Sequence, residues 1–120
     1  MKTIDEIATE VHNLAWEKGW HSDKETEDQF IERACNNLHD EVSELHEAWR
    51  NNQLHDLCDK SDKMKEYNIE PLTCIEEEFA DIIIRVLDNC KKLNVDIQSV
   101  IERKHLYNKT RSQRHGNKRS

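Results

Sequence analysis

An all-α fold, a bundle of four to five helices, follows from three features of the sequence. Only two glycines and one proline occur in 120 residues, whereas sheet proteins need turn residues at short intervals. Apolar residues recur at steps of three and four, the spacing of one helix face. Hydrophobic residues make up 35% of the chain and charged residues 36%. That balance gives a thin core under a charged surface, and it favours long amphipathic helices that a second copy of the chain helps to cover. The length suits a single domain, residues 1–110, followed by a basic C-terminal tail, residues 111–120.

Thr3-Ile-Asp-Glu6 is a capping box that opens a first helix. Ile4, Ile7, Ala8, Val11, Leu14 and Ala15 continue it, and Gly19 ends it with a left-handed residue. Ser22-Asp-Lys-Glu25 offers a second capping box. The stripe Ile31, Ala34, Cys35, Leu38, Val42, Leu45 and Trp49 then carries a second helix to about Asn52. Residues 53–70 are weakly patterned and form a connector with room for one short helix. Pro71 suits the first turn of a third helix. Ile75, Phe79, Ile82, Val86, Cys90 and Leu93 make its stripe, and Ile83 and Leu87 widen it. So broad an apolar arc is expected to be buried on two sides, by the chain itself and by a partner subunit. Asn94 ends this helix. Asp96 caps a fourth, through Ile97, Val100, Ile101 and Leu106.

Charge is unevenly spread. The formal net charge is -7, yet from Ile101 onward seven Lys/Arg face one acid, a net of +6 that leaves about -13 on the rest. An acidic body attracts cations, and a basic tail beside it can hold phosphates. Cys35, Cys58, Cys74 and Cys90 show no CxxC spacing, and Met1–Glu10 is polar rather than signal-like. Reduced thiols in a cytoplasmic protein are therefore expected, with Cys35 and Cys90 buried on the apolar stripes. No apolar run approaches the roughly 20 residues of a membrane span, so no membrane partner is expected. The acidic body also argues against a nucleic-acid partner.

The chemistry concentrates in two i, i+3 acidic pairs, Glu41-Val-Ser-Glu44 on the second helix and Glu78-Phe-Ala-Asp81 on the third. Each pair shares a helix face, on a flank of its apolar stripe. Two helices packed by those stripes bring four carboxylates to one seam. Such a group cannot stay ionised there without a cation, and an all-oxygen donor set selects magnesium or manganese over zinc. By the same spacing, Glu47 turns further toward solvent, and Glu76 and Glu77 lie on other faces than Asp81. A solvated acidic face is the plainer alternative from spacing alone.

At these residues the chain resembles the MazG-like, all-α nucleoside triphosphate pyrophosphohydrolases, whose signature is ExxE, a spacer and ExxD. "HDEVSELHEAWR" and "EEEFADIIIRVLDNC" look like that family's two metal helices. "AWEKGWHS" upstream and "KHLYNKTRSQRHGNK" downstream are similar to segments of its short phage-type members. The likeness runs from about Trp16 to Lys118, with the four segments in order. One departure is the long connector from about Leu54 to Glu70. The resemblance implies magnesium-dependent cleavage between the α and β phosphates of a nucleoside triphosphate, in a homodimer or homotetramer. It implies that Glu41, Glu44, Glu78 and Asp81 hold magnesium, with manganese as a substitute, and that Glu44 or Glu41 activates water. It implies that Lys104, Asn108 and Arg111, on one face of the fourth helix, contact the substrate phosphates. Trp16 and Trp20 become candidates for stacking on the base, and Arg114 and His115 for closing over phosphate from the tail.

Other residues carry weaker signals. Trp49 lies on an apolar stripe and reads as core. His55-x-x-Cys58 has zinc-like spacing but no second pair. His39-Asp40 and His55-Asp56 are isolated His-Asp dipeptides. Two further functions compete with the enzyme. A carboxylate-bridged di-metal bundle needs two Glu-x-x-His pairs, and only Glu102-x-x-His105 is present. A non-enzymatic helical oligomerisation or binding module needs no metal at all.

Overall fold

The computed structural model of the chain describes residues 1–111. These described residues form five α-helices: α1 (Ile4–Glu17), α2 (Glu27–Arg50), α3 (Ser61–Glu66), α4 (Cys74–Lys92) and α5 (Ile97–Lys109). No β-strand forms among the described residues; one isolated antiparallel bridge pairs Leu57 with Thr73. No described helix is long and apolar enough to cross a membrane.

Helix α4 is the centre of the bundle, with α1 and α2 packed against it and α5 leaning on α1. Ala8 and Ala15 are almost fully buried. Their small side chains let α1 approach closely. Lys91 Nζ reaches Asp5 Oδ1 at 2.7 Å across this contact. Phe30 is the largest fully buried side chain, and burying a ring of that size is worth ~1.5–3 kcal/mol.

The caps match the sequence at some ends and not at others. Thr3 and Glu6 form the expected capping box of α1, and Asp96 accepts from Ser99 N to cap α5. The cap of α2 is Thr26 with Gln29, not Ser22 with Glu25. Ser22 instead accepts from Lys24 N within a turn, and Glu25 pairs with Arg33 through two 2.8 Å bonds. Pro71 does not open α4. Thr73 caps it in a box with Glu76, because the chain before it is held extended. Cys58 N donates to Leu72 O, Cys74 N to Asp56 O and Ile75 N to Leu54 O, at 2.8–2.9 Å. These bonds tie the connector to the start of α4.

Helices α1 to α4 end alike. Gly19, Asn52, Asn68 and Asn94 each take a positive φ, between 56° and 76°. The following residue donates back five positions, as in Trp20 N to Ala15 O and Val95 N to Cys90 O. This Schellman arrangement satisfies carbonyls that would otherwise lack partners. Asparagine tolerates the left-handed region better than most residues, which explains its use at three of the four sites.

The inward edge of α2 differs from the expected stripe. Phe30, Ala34 and Glu41 are buried and Leu38 and Leu45 half-buried, whereas Ile31, Cys35, Val42 and Trp49 are exposed. Trp49 is thus not core; it lies at the surface, stacked on His46 at 5.5 Å. Cys35 is an exposed thiol rather than a buried one, while Cys90 is half-buried. The anchor is Phe30, which rotates α2 so that Glu41 faces inward. On α4, Leu87 is buried, but Phe79 (50%) and Ile83 (57%) stand exposed. The radius of gyration, 17.0 Å, exceeds the ~13 Å of a compact chain of this size.

Capping supplies the first test. Thr26→Ala should lower the unfolding free energy by about 1 kcal/mol, and Ser22→Ala by much less. Urea denaturation of the two variants measures the difference; equal losses would contradict the Thr26 cap.

Candidate metal and nucleotide site

The seam between α2 and α4 gathers carboxylates from both helices. Oxygens of Glu41, Glu44 and Glu78 lie within 4.8 Å of one another, as do those of Glu77, Glu78 and Asp81. The two groups share Glu78. Glu78 thus links Glu41 and Glu44 of the ExxE pair to Asp81, its partner in the ExxD pair. Glu77 joins them, contrary to the expectation that it lies on another face than Asp81. The two are separated by four residues, and side chains four apart stack on one side of a helix.

Burial and mutual repulsion dominate here. Glu41 is buried at 6% exposure, while Glu44 is exposed. Arg85 Nε donates to Glu41 Oε1 at 2.7 Å, but Glu41 Oε2 and Glu78 Oε2 are buried with no hydrogen-bond partner among the described residues. Burial, then the charges of Glu44, Glu77, Asp81 and Glu41, push the Glu78 carboxyl up to about 7. Burial and Glu41 raise Glu44, and burial and Glu41 raise Asp81. Orphaned, inward-facing oxygens cost free energy unless something answers them. An all-oxygen donor set with free lone pairs fits a hard divalent cation such as magnesium or manganese.

Two clefts border the seam. One, of about 570 Å³, lies between α1, α2 and α4 and has Glu41 and Asp81 in its wall, with Trp20, His21, Arg33, Asn37, Arg85 and Asn89. The other, of about 470 Å³, has Glu44, Glu77 and Glu78, with Glu47 at its rim and the connector residues Asp56, Asp59 and Lys60 opposite. The carboxylates thus form the partition between a mixed apolar and polar cleft and an acidic one.

The aromatic candidates separate. Trp20 is exposed in the wall of the larger cleft. Trp16 is engaged: its Nε1 donates to His12 Nε2 at 3.1 Å, and Lys92 Nζ lies 5.2 Å from its ring centroid. An indole N–H can only donate, so His12 carries its proton on Nδ1 and gives it to Asp88 Oδ1 at 2.7 Å. Asp88 also accepts from His21 Nε2, at 2.8 and 2.9 Å. His12, His21 and Asp88 bring three potential metal ligands together. An ion on His12 Nδ1 would turn His12 Nε2 into a donor facing another donor, so the group reads as a clamp on the α1–α2 loop. Sequence reasoning missed this cluster, because His12 and His21 lie on opposite sides of the Gly19 break.

Lys104 and Asn108 lie on α5, and Arg111 follows its C-cap Thr110, outside the helix. Lys104 Nζ and the Arg111 guanidinium lie 5.1 and 5.7 Å from the Tyr107 ring centroid, and Arg111 Nη1 meets Asn108 Oδ1 at 3.5 Å. None of the three lines either cleft. Arg114 and His115 lie outside the described residues. His55, Cys58 and His105 join none of the potential metal clusters among the described residues.

The raised carboxyls give a pH prediction. A carboxyl whose pKa is higher in the fold than in the unfolded chain keeps its proton where the unfolded chain has released it. Stability then falls as pH rises from the ordinary carboxylate range, near 4.5, to about 7. The melting temperature of metal-free protein should fall over this window, less steeply in Glu78→Gln, and saturating magnesium should restore it at neutral pH. An equal slope in the variant would contradict the assignment.

No family model, no curated protein and no solved structure matches this chain.

Proposed function

We propose that this chain is a magnesium-dependent nucleotide pyrophosphohydrolase that splits a nucleoside triphosphate into a monophosphate and pyrophosphate. The observation that carries this reading is the gathering of Glu41, Glu44, Glu78 and Asp81 from two helices, with two buried carboxylate oxygens that have no partner among the described residues. The order of segments similar to MazG-like enzymes supports it, as does a cleft of nucleoside size directly beside Glu41 and Asp81.

Glu41, Glu44, Glu78 and Asp81 would hold magnesium, or manganese in its place. A bound ion supplies charge neutralisation for the phosphates. The nucleoside enters the larger cleft, where exposed Trp20 offers a stacking surface and Asn37 and Asn89 offer polar edges. The triphosphate then lies across the carboxylate partition. Glu44, the exposed member of the set, has room for a water molecule and accepts its proton as the water oxygen attacks the α phosphorus. The bond from that phosphorus to the α,β-bridging oxygen breaks, and pyrophosphate departs. Cations facing the leaving group stabilise the charge it gains.

The working form in this reading is a homodimer or homotetramer. Exposed Phe79 and Ile83 on α4 give a second copy an apolar face, and Lys104, Asn108 and Arg111 stand away from both clefts. A second copy is the means by which α5 cations of one chain reach phosphates bound to another.

Two experiments test the proposal. Incubation with magnesium and a panel of ribo- and deoxyribonucleoside triphosphates should give monophosphate and pyrophosphate, separated by ion exchange. Glu78→Gln and Asp81→Asn should lower kcat at least about 100-fold while keeping the helical circular-dichroism spectrum. Absence of product from folded protein, with magnesium and with manganese, would overturn the reading. Separately, Ile83→Asp should turn an oligomer into a monomer by light scattering, and a wild-type monomer would remove the second-copy argument.

A further inference from the structure

Lys60 stands out against its surroundings. Among the described residues it is the one basic member of the smaller cleft's lining, with Glu44, Glu47, Asp56, Asp59, Glu77 and Glu78 around it. Its Nζ lies 2.8 Å from Glu77 Oε2 and 3.3 Å from Asp59 Oδ1. Glu77 is largely buried, with 12% of its side chain exposed, whereas Lys60 is 63% exposed. The lysine therefore reaches inward from the surface to an otherwise crowded carboxylate.

Its backbone is fixed. The connector is pinned to the start of α4 by the bonds from Cys58 N to Leu72 O and from Cys74 N to Asp56 O, both 2.8 Å. Buried Ser61 donates to Cys58 O at 2.7 Å and anchors the turn after it. This is the segment whose length departs from the spacing expected between the two acidic pairs. Its structural product is a cation at the edge of the site.

We propose that Lys60 is an exchangeable counter-ion: it neutralises Glu77 in the metal-free protein, yields that carboxylate when a divalent cation binds, and then takes a phosphate oxygen of the substrate. The inference rests on the proposed metal site and adds to its donors Glu77, whose carboxylate lies within 4.8 Å of those of Glu78 and Asp81. Two cations cannot both be closely paired with Glu77 without repelling each other, so an ion drawing on Glu77, Glu78 and Asp81 loosens the lysine. The side chain is long and 63% exposed, so once the ion takes up Glu77 a swing toward the substrate gives up only the contact with exposed Asp59 and some rotamer freedom. There it lies beside the carboxylates, where phosphates next to a bound ion must sit.

The test uses full-length protein and probes independent of base identity. Free Mn²⁺ is followed by electron paramagnetic resonance, and pyrophosphate and orthophosphate binding by calorimetry in saturating Mn²⁺. Lys60→Met should bind Mn²⁺ about two- to fivefold more tightly, the range of an exposed ion pair, because the competing cation is gone. It should bind pyrophosphate several-fold more weakly, with orthophosphate little changed, and Lys60→Arg should recover pyrophosphate binding. Unchanged or weaker Mn²⁺ binding in Lys60→Met, or unchanged pyrophosphate binding, would overturn the exchange while leaving the metal site standing. Wild-type protein that binds no Mn²⁺ would overturn both.

Discussion

The structure is governed by a crowding of negative charge. Five carboxylates, Glu41, Glu44, Glu77, Glu78 and Asp81, converge where α2 meets α4, and among the described residues only Arg85 and Lys60 pair with any of them there. Partial burial and the nearby like charges raise the carboxyls of Glu44, Glu78 and Asp81. A fold selected for stability alone would place these acids on the outer faces of two long helices. Here the apolar contacts are arranged instead so that the acids meet. Phe30 sets the rotation of α2, Leu87 holds α4, and Ala8 and Ala15 let α1 close on the far side. The packed core thus acts as the frame that holds a repulsive site together.

The same arrangement explains the layout of the clefts. Because the carboxylates line the seam, they face both ways, Glu41 and Asp81 into the mixed cleft and Glu44, Glu77 and Glu78 into the acidic one. A ligand with an uncharged, ring-shaped end and a polyanionic end suits that division, provided a cation joins the anion to the acids. The clamp of Asp88 on His12 and His21 steadies the loop that carries Trp20. The connector contributes Lys60 from the opposite side.

Much of this was legible in the sequence, for reasons that periodicity explains. Capping residues act locally, so Thr3 and Asp96 mark their helices directly. Steps of three and four fix which residues share a face, which is why Glu41 and Glu44, and Glu78 and Asp81, could be paired. What periodicity leaves open is which sector of a wide apolar arc turns inward. Val42, Trp49, Phe79 and Ile83 look like core and are exposed, because Phe30 and Leu87 win the interior. Glu77 stands with Asp81 rather than on another face, because its four-residue step to Asp81 obeys the same rule. Lys60 and the Asp88 clamp depend on contacts between distant segments, set by the backbone bonds of residues 54–58 and by the Gly19 turn. No local pattern reports such contacts.

The claim that these carboxylates form a metal centre is tested most directly by crystals grown in manganese and measured near its absorption edge. The account predicts an anomalous peak at the α2–α4 seam, bonded to oxygens of Glu41, Glu44, Glu78 and Asp81 at roughly 2.1–2.3 Å, close to the spacing of hard-cation ligands. A well-ordered seam with no peak, its carboxylates still paired only with Arg85 and Lys60, would contradict it.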